Sequence, residues 1–216
     1  MSQNSTATRV GVLGGTFNPV HIGHLILAQD AREHFGLERV LFVPSARPPH
    51  KAAAGLIDGK HRLAMLEAAL KGTPWAEVSD VELRRGGISY TIDTVRELRR
   101  QRFPDAALHF IVGTDTLREI HMWRDIGDLL GMCRFVAMDR PGVDRAGLTA
   151  ASLHLDPPWP ERLLADIGVG HRIEVSSSEI RQRAAHGLSI RFLVCPPVEE
   201  YIDSRALYRG GASRQI

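Results

Sequence analysis

RVGVLGGTFNPVHIGH, residues 9–24, decides how the rest of the chain reads. Its first five residues are an apolar run of strand length. Gly14 and Gly15 close that run, and helical spacing begins near His21, which gives strand, glycine turn and helix. The order then repeats. Residues 40–43 (VLFV) are a second buried strand that stops at a proline-rich loop, 44–50, and 59–71 carry helical spacing. Residues 78–83 read as extended, 91–103 as helix and 108–112 (LHFIV) as a buried strand before Gly113. A further strand is expected at 134–138 and a last short one at 172–175, ahead of a helix starting near Ser177. Strands alternating with helices predict an α/β fold: a doubly wound parallel sheet with helices on both faces, in a single domain.

The 216 residues, 44% hydrophobic, suffice for one core. A polar lead is expected at 1–8, the domain at 9–209 and a loose tail at 210–216. Residues 142–170 are rich in proline and are expected to form an irregular surface excursion. The 27 basic residues are scattered among 25 acidic ones, for a net charge of +2, so no basic stripe marks a nucleic-acid partner. Cys133 and Cys195 lack metal or redox spacing and read as reduced thiols, which points to the cytoplasm. No run approaches the roughly 18 apolar residues of a membrane span. The sequence leaves homo-oligomerisation open.

In a sheet of this kind ligands bind beyond the carboxyl ends of the strands. Those ends carry GGTFNPVHIGH, PSARPPHK, GTD, DRPG and SSSEIR, while the opposite edge looks bland. Gly14 and Gly15 would let backbone amides approach an anion. Asn18 and Pro19 suit a helix cap and first turn, and the bare amides of the helix opening would attract phosphate. His21 and His24, three apart, would then face one phosphate chain. A tight turn with two ordinary polar histidines satisfies the same residues. Zinc would need more ligands than two histidines supply. Neither the P-loop pattern nor G-x-G-x-x-G is completed.

The run from Gly14 to His24 resembles the G-G-T-F-[DN]-P-x-H-x-G-H signature of the HxGH nucleotidyltransferases. With its accompanying motifs, the chain is similar to the bacterial nicotinate-nucleotide adenylyltransferases from about Val10 to about Leu207. Position 18 is Asn where many members carry Asp. The resemblance implies a Rossmann-like fold and transfer of the adenylyl group of ATP to the 5′-phosphate of nicotinate mononucleotide, with Mg2+ accompanying ATP. It implies catalytic roles for His21, His24, Lys51 and Arg181. ATP would meet Gly14, Gly15, Thr16, Phe17, His21, Gly23, His24, Gly113, Asp115, Arg140, Ser177, Ser178 and Arg181. The acceptor would meet Asn18, Lys51, Ser89, Tyr90, Thr91 and Trp123.

Each of these residues also has a plain reading. Ser176 to Glu179 make a capping box in which Ser176 accepts from the helix start and Glu179 reaches back. Asp115 could cap a helix, Lys51 and Arg140 could be solvated turn residues, and Trp123 could be core. A sibling acting on nicotinamide mononucleotide or phosphopantetheine, or a nucleotide sensor without chemistry, remains open at this point. Amides of the SYTIDT segment, 89–94, facing a carboxylate would favour the acid over the amide, and Trp123 would stack on a pyridinium.

Overall fold

A computed structural model describes residues 7–48, 55–139 and 145–209. Six parallel strands form one sheet: β1 (Arg9–Gly15), β2 (Arg39–Pro44), β3 (Ala76–Val78), β4 (Ala107–Gly113), β5 (Arg134–Met138) and β6 (Ile167–Gly168), in the order 3-2-1-4-5-6. Helices are α1 (Ile22–Phe35), α2 (Gly59–Leu70), α3 (Val81–Arg85), α4 (Thr91–Gln101), α5 (Thr114–Leu117), α6 (Ile126–Met132), α7 (Trp159–Ala165), α8 (Ser177–Ala185) and α9 (Pro196–Ser204).

The period of two along each strand sorts side chains onto the two faces. Val40 and Phe42 of β2 join Ala28 and Ala31 of α1, Met65 and Leu66 of α2, Ile180 of α8 and Val198 of α9 in one buried layer. Leu41 and Val43 turn the other way, to Ile92 and Val95 of α4, Leu129 of α6 and Leu163 of α7. Both faces are covered, as the continuous apolar runs require. The strand order reverses between β1 and β4, which places the switch point at Gly14-Gly15 and Gly113.

Several expectations need correction. Residues 172–175 are not a strand. Their exposure alternates as a strand's would, but β5 already pairs with Ile167–Gly168, and Asp30 of α1 accepts from the His171 N–H at 2.7 Å, drawing the chain off the sheet. The stretch 78–83 is extended only as far as Val78; α3 follows, closed where the Gly86 N–H donates to Glu82 O. The excursion at 142–170 contains α7 and β6, and Leu148, Leu153 and Leu163 are buried in the core. The amino-terminal edge of the sheet is not bland: arginines collect there, as described below.

Candidate active site

β1 runs into a loop whose geometry is set by one buried cation. Arg62 of α2, 1% exposed, donates to the carbonyls of Ser45 (2.6 Å), Thr16 (2.8 Å), Ile57 (3.2 Å) and Ala46 (3.4 Å). It thereby ties the exits of β1 and β2 to the opening of α2. Burial pulls its guanidinium below its ordinary value, against the nearby Tyr208, Asp58 and Glu82, and an arginine keeps its charge regardless. Sequence reading passed over Arg62, because its partners are backbone atoms with no motif of their own.

Asn18 is not the helix cap. Its Nδ2 donates to Gly55 O at 2.8 Å and its Oδ1 accepts from the Tyr208 hydroxyl at 2.9 Å, so both halves of the amide are engaged by distant chain. The cap is His21, and α1 begins at Ile22, three residues beyond Pro19. The imidazoles of His21 and His24 lie with centroids 3.7 Å apart, at 31° to one another. His24 Nδ1 accepts from the His21 backbone N–H at 3.3 Å. A nitrogen that accepts carries no proton, so in the neutral ring the proton sits on Nε2, leaving His24 a donor on its other side. Gly23 leaves room beside His21: a Cβ there would lie 3.1 Å from His21 Nδ1, a tight contact. Phe17, fully buried, meets the His24 ring edge-on at 4.9 Å. The helix opening is less bare than the sequence suggests, since Ile22 N–H donates to Leu193 O and the His24 N–H folds back to His21 O.

α8 opens against the same loop. Arg181 donates to Asn18 O at 2.9 Å and to Ser178 Oγ at 3.2 Å, and the Ser177 hydroxyl donates to Pro19 O at 2.9 Å. Ser176 caps the helix by accepting from Glu179 N–H at 3.1 Å; a return bond from the Glu179 side chain is not formed among the described residues. With the Ser177 hydroxyl turned to Pro19, the amides of Ser177 and Ser178 are the unbonded donors of this helix end among the described residues.

Ser89 N–H donates to Arg47 O at 2.8 Å, and Ser89 Oγ accepts from Ala46 N–H at 3.0 Å. Ser89 thus pins the 45–48 loop, and Tyr90 and Thr91 supply the first amides of α4. Below them Glu82 is 7% exposed; burial pushes its carboxyl up, opposed by hydrogen bonds from Thr94 and Ser89 and by the charges of Arg85 and Arg62. The Thr94 hydroxyl reaches Glu82 Oε1 at 2.5 Å. Trp123 is half-buried, edge-on to Phe110 (5.9 Å) and Phe135 (5.7 Å), and the neighbouring Arg124 guanidinium lies 4.7 Å from the Tyr90 ring centroid. Gly113 caps α5, which puts Asp115 in its first turn, not at the cap. Lys51 and Arg140 lie outside the described residues. No group of three or more His, Cys, Asp or Glu among the described residues could hold a metal, and no helix among them is long and apolar enough to cross a membrane.

The cytidylyltransferase-like family model matches residues 12–183. A probable nicotinate-nucleotide adenylyltransferase of Moorella thermoacetica is 43% identical over 206 residues, covering 93% of this chain and 92% of that relative. Its counterpart in Shouchella clausii is 43% identical over 200 residues, covering 93% and 96%. Among solved structures, the Plasmodium falciparum nicotinic acid mononucleotide adenylyltransferase complexed with NaAD superposes with a TM-score of 0.70 at 18% identity, covering 93% of this chain and 97% of that one. A putative nicotinate-nucleotide adenylyltransferase from Vibrio parahaemolyticus gives 0.67 at 18%, covering 94% and 96%.

Proposed function

The chain belongs to the cytidylyltransferase-like family and to its nicotinate-nucleotide adenylyltransferases, and from that premise we propose how its residues carry the reaction. The enzyme is a nucleotidyltransferase that moves the adenylyl group of ATP onto nicotinate mononucleotide, a step of NAD biosynthesis. The acceptor's 5′-phosphate is already an anion, so its oxygen attacks the α-phosphorus without a general base. The new P–O bond forms as the bond from the α-phosphorus to the bridging oxygen breaks, and the electron pair leaves on pyrophosphate. Positioning and charge stabilisation supply the rate.

One observation carries the assignment of residues: Arg181 and Ser177 bond the carbonyls of Asn18 and Pro19, so the openings of α8 and α1 form one rim around the two imidazoles. His24 donates from Nε2 to the reacting phosphate, with His21 stacked beside it. Arg181 and the amides of Ser177 and Ser178 meet the departing pyrophosphate. Gly14, Gly15, Thr16, Phe17 and Gly23 shape the floor beneath the triphosphate, Gly113, Asp115 and Arg140 the adenosine side. Lys51 and Asn18 serve the acceptor phosphate, Asn18 through the loop it holds at Gly55. Mg2+ accompanying ATP would neutralise phosphate charge.

Acid selectivity is assigned to the amides of Tyr90 and Thr91 at the α4 opening, and ring stacking to Trp123. The domain occupies 9–209 and acts in the cytoplasm, in keeping with the free Cys133 and Cys195, without a nucleic-acid partner and alone or as a homo-oligomer.

The test is pyrophosphate release from ATP and Mg2+ with nicotinate mononucleotide, nicotinamide mononucleotide or phosphopantetheine. Nicotinate mononucleotide is expected to be fastest. A faster reaction with either other acceptor overturns the acid selectivity, and ATP binding without pyrophosphate release from any acceptor would identify a sensor.

A further inference from the structure

The rim of the sheet opposite the candidate active site carries a cavity of about 740 Å3. It is lined by the first residues of three adjacent strands, among them Arg9 of β1, His109 of β4 and Arg134 of β5. The seven residues of β1 separate it from Gly15 by roughly 20 Å at about 3.3 Å per residue. Its volume falls in the range of about 300 to 1,000 Å3 typical of small-molecule sites and far exceeds what a bare inorganic anion fills.

Its charge is concentrated. Arg9, Arg99, Arg134 and Arg162 line it beside one carboxylate, Asp166; Arg9 is turned to Phe35 O at 3.3 Å and Arg134 is paired with Asp166, which leaves the guanidinium groups of Arg99 and Arg162 to meet an anion. Apolar walls focus such a field on an incoming anion. Arg134 is held by Asp166 through Nε at 2.7 Å, and Arg99 donates Nε to Met132 O at 2.9 Å. The Arg162 guanidinium makes no hydrogen bond or ion pair among the described residues and lies 5.2 Å from the Trp159 ring centroid, so a cation and a flat aromatic surface share one wall.

His109, 5% exposed, also lines the cavity. Its Nδ1 faces the Ala107 carbonyl at 2.9 Å and must carry the proton, because a carbonyl only accepts. The Nε2 of the neutral ring is then an acceptor.

We propose that this cavity is a second ligand site, which takes a nucleoside phosphate. The phosphate meets Arg162 and the remaining guanidinium donors of Arg99. The base lies against Trp159 and the apolar wall of Leu108, Leu130 and Leu163.

Met132 lines the cavity and supplies a local reporter. The full chain, labelled with 13C at the methionine methyls and assigned through Met132→Leu, is titrated with adenosine monophosphate, with adenosine and with inorganic phosphate. The expected result is a saturable Met132 shift whose midpoint is lower by about tenfold or more for the nucleotide than for either part alone. Arg162→Gln should raise the nucleotide midpoint by about tenfold while pyrophosphate formation stays within about twofold. Trp159→Leu, which keeps the apolar packing, should weaken the nucleotide and leave inorganic phosphate unchanged. No saturable shift, equal midpoints for nucleotide and phosphate, or indifference to both substitutions overturns the proposal. The readout is independent of catalysis, so its failure leaves the adenylyl-transfer reading untouched.

Discussion

The hydroxyl of Tyr208 donates to Oδ1 of Asn18 at 2.9 Å, joining residues 190 apart, while the other end of the same amide holds Gly55 O. Burial pushes the Tyr208 phenol above its ordinary range, so it remains a donor throughout the working pH. Tyr208→Phe is expected to lower unfolding free energy by about 1 to 3 kcal/mol in urea titrations, the cost of an orphaned acceptor. Asn18→Asp should keep the Tyr208 bond, lose the Gly55 bond and set two oxygens against each other, with a loss of the same order. An aspartate variant as stable as the parent would show that the Gly55 bond contributes nothing.

His24→Ala should reduce turnover by about 100-fold or more with little change in melting temperature, because the lost Nε2 donor acts in the transition state. Glutamine, whose amide nitrogen falls near the position of Nε2, should recover part of that loss. Steady-state kinetics and a thermal melt on both variants decide it, and an alanine variant of near-normal turnover removes His24 from the reaction.

Trp123→Ala should raise the KM for nicotinate mononucleotide several-fold more than that for ATP, reflecting a lost stacking contribution of about 0.5 to 2 kcal/mol. Equal effects on the two substrates would mean that the ring serves only its packing against Phe110 and Phe135.

Arg62→Met removes the shared donor of four carbonyls and should cost about 3 kcal/mol or more, since the acceptor of Ser45 stays buried and that of Thr16 part-buried. Arg62→Lys restores charge but only part of the geometry and should fall between. Chemical denaturation measures the order; a methionine variant more stable than the lysine variant would assign Arg62 a packing role.

Burial lowers the pKa of His109 from 6.5, with the Arg134 and Arg9 charges acting in the same direction and Ala107 O and Asp166 opposing. The unfolded chain therefore takes up its proton first. Stability tied to this residue is complete above pH 6.5 and declines as pH falls below it toward the folded pKa. Melting temperatures between pH 7 and pH 5 should fall less steeply in His109→Gln than in the parent; parallel slopes would exclude His109 as a contributor.

What could be read along the chain was what depends on neighbours in sequence. The alternation of Val40, Leu41, Phe42 and Val43 gave a strand buried on both faces, and Ser176 ahead of Ser177–Ala185 gave a capped helix. Even there, local pattern misled where a partner was needed: residues 172–175 alternate as a strand would, but no neighbouring strand was left to pair them. Asn18 likewise looked like a cap until Gly55 and Tyr208 took its side chain.

The sequence by itself determined the α/β alternation, the GGTFNPVHIGH turn at the switch point and the serine-capped helix carrying Arg181, because helix periods, strand periods and caps are contacts within a few residues. Only the tertiary structure decided that Arg62 holds four carbonyls from three separate loops, that α8 bonds onto the loop before α1, and that arginines at 9, 99, 134 and 162 line one cavity. Backbone carbonyls are alike in every residue, and charges far apart in sequence leave no periodic trace. Their meeting is set by strand order and packing.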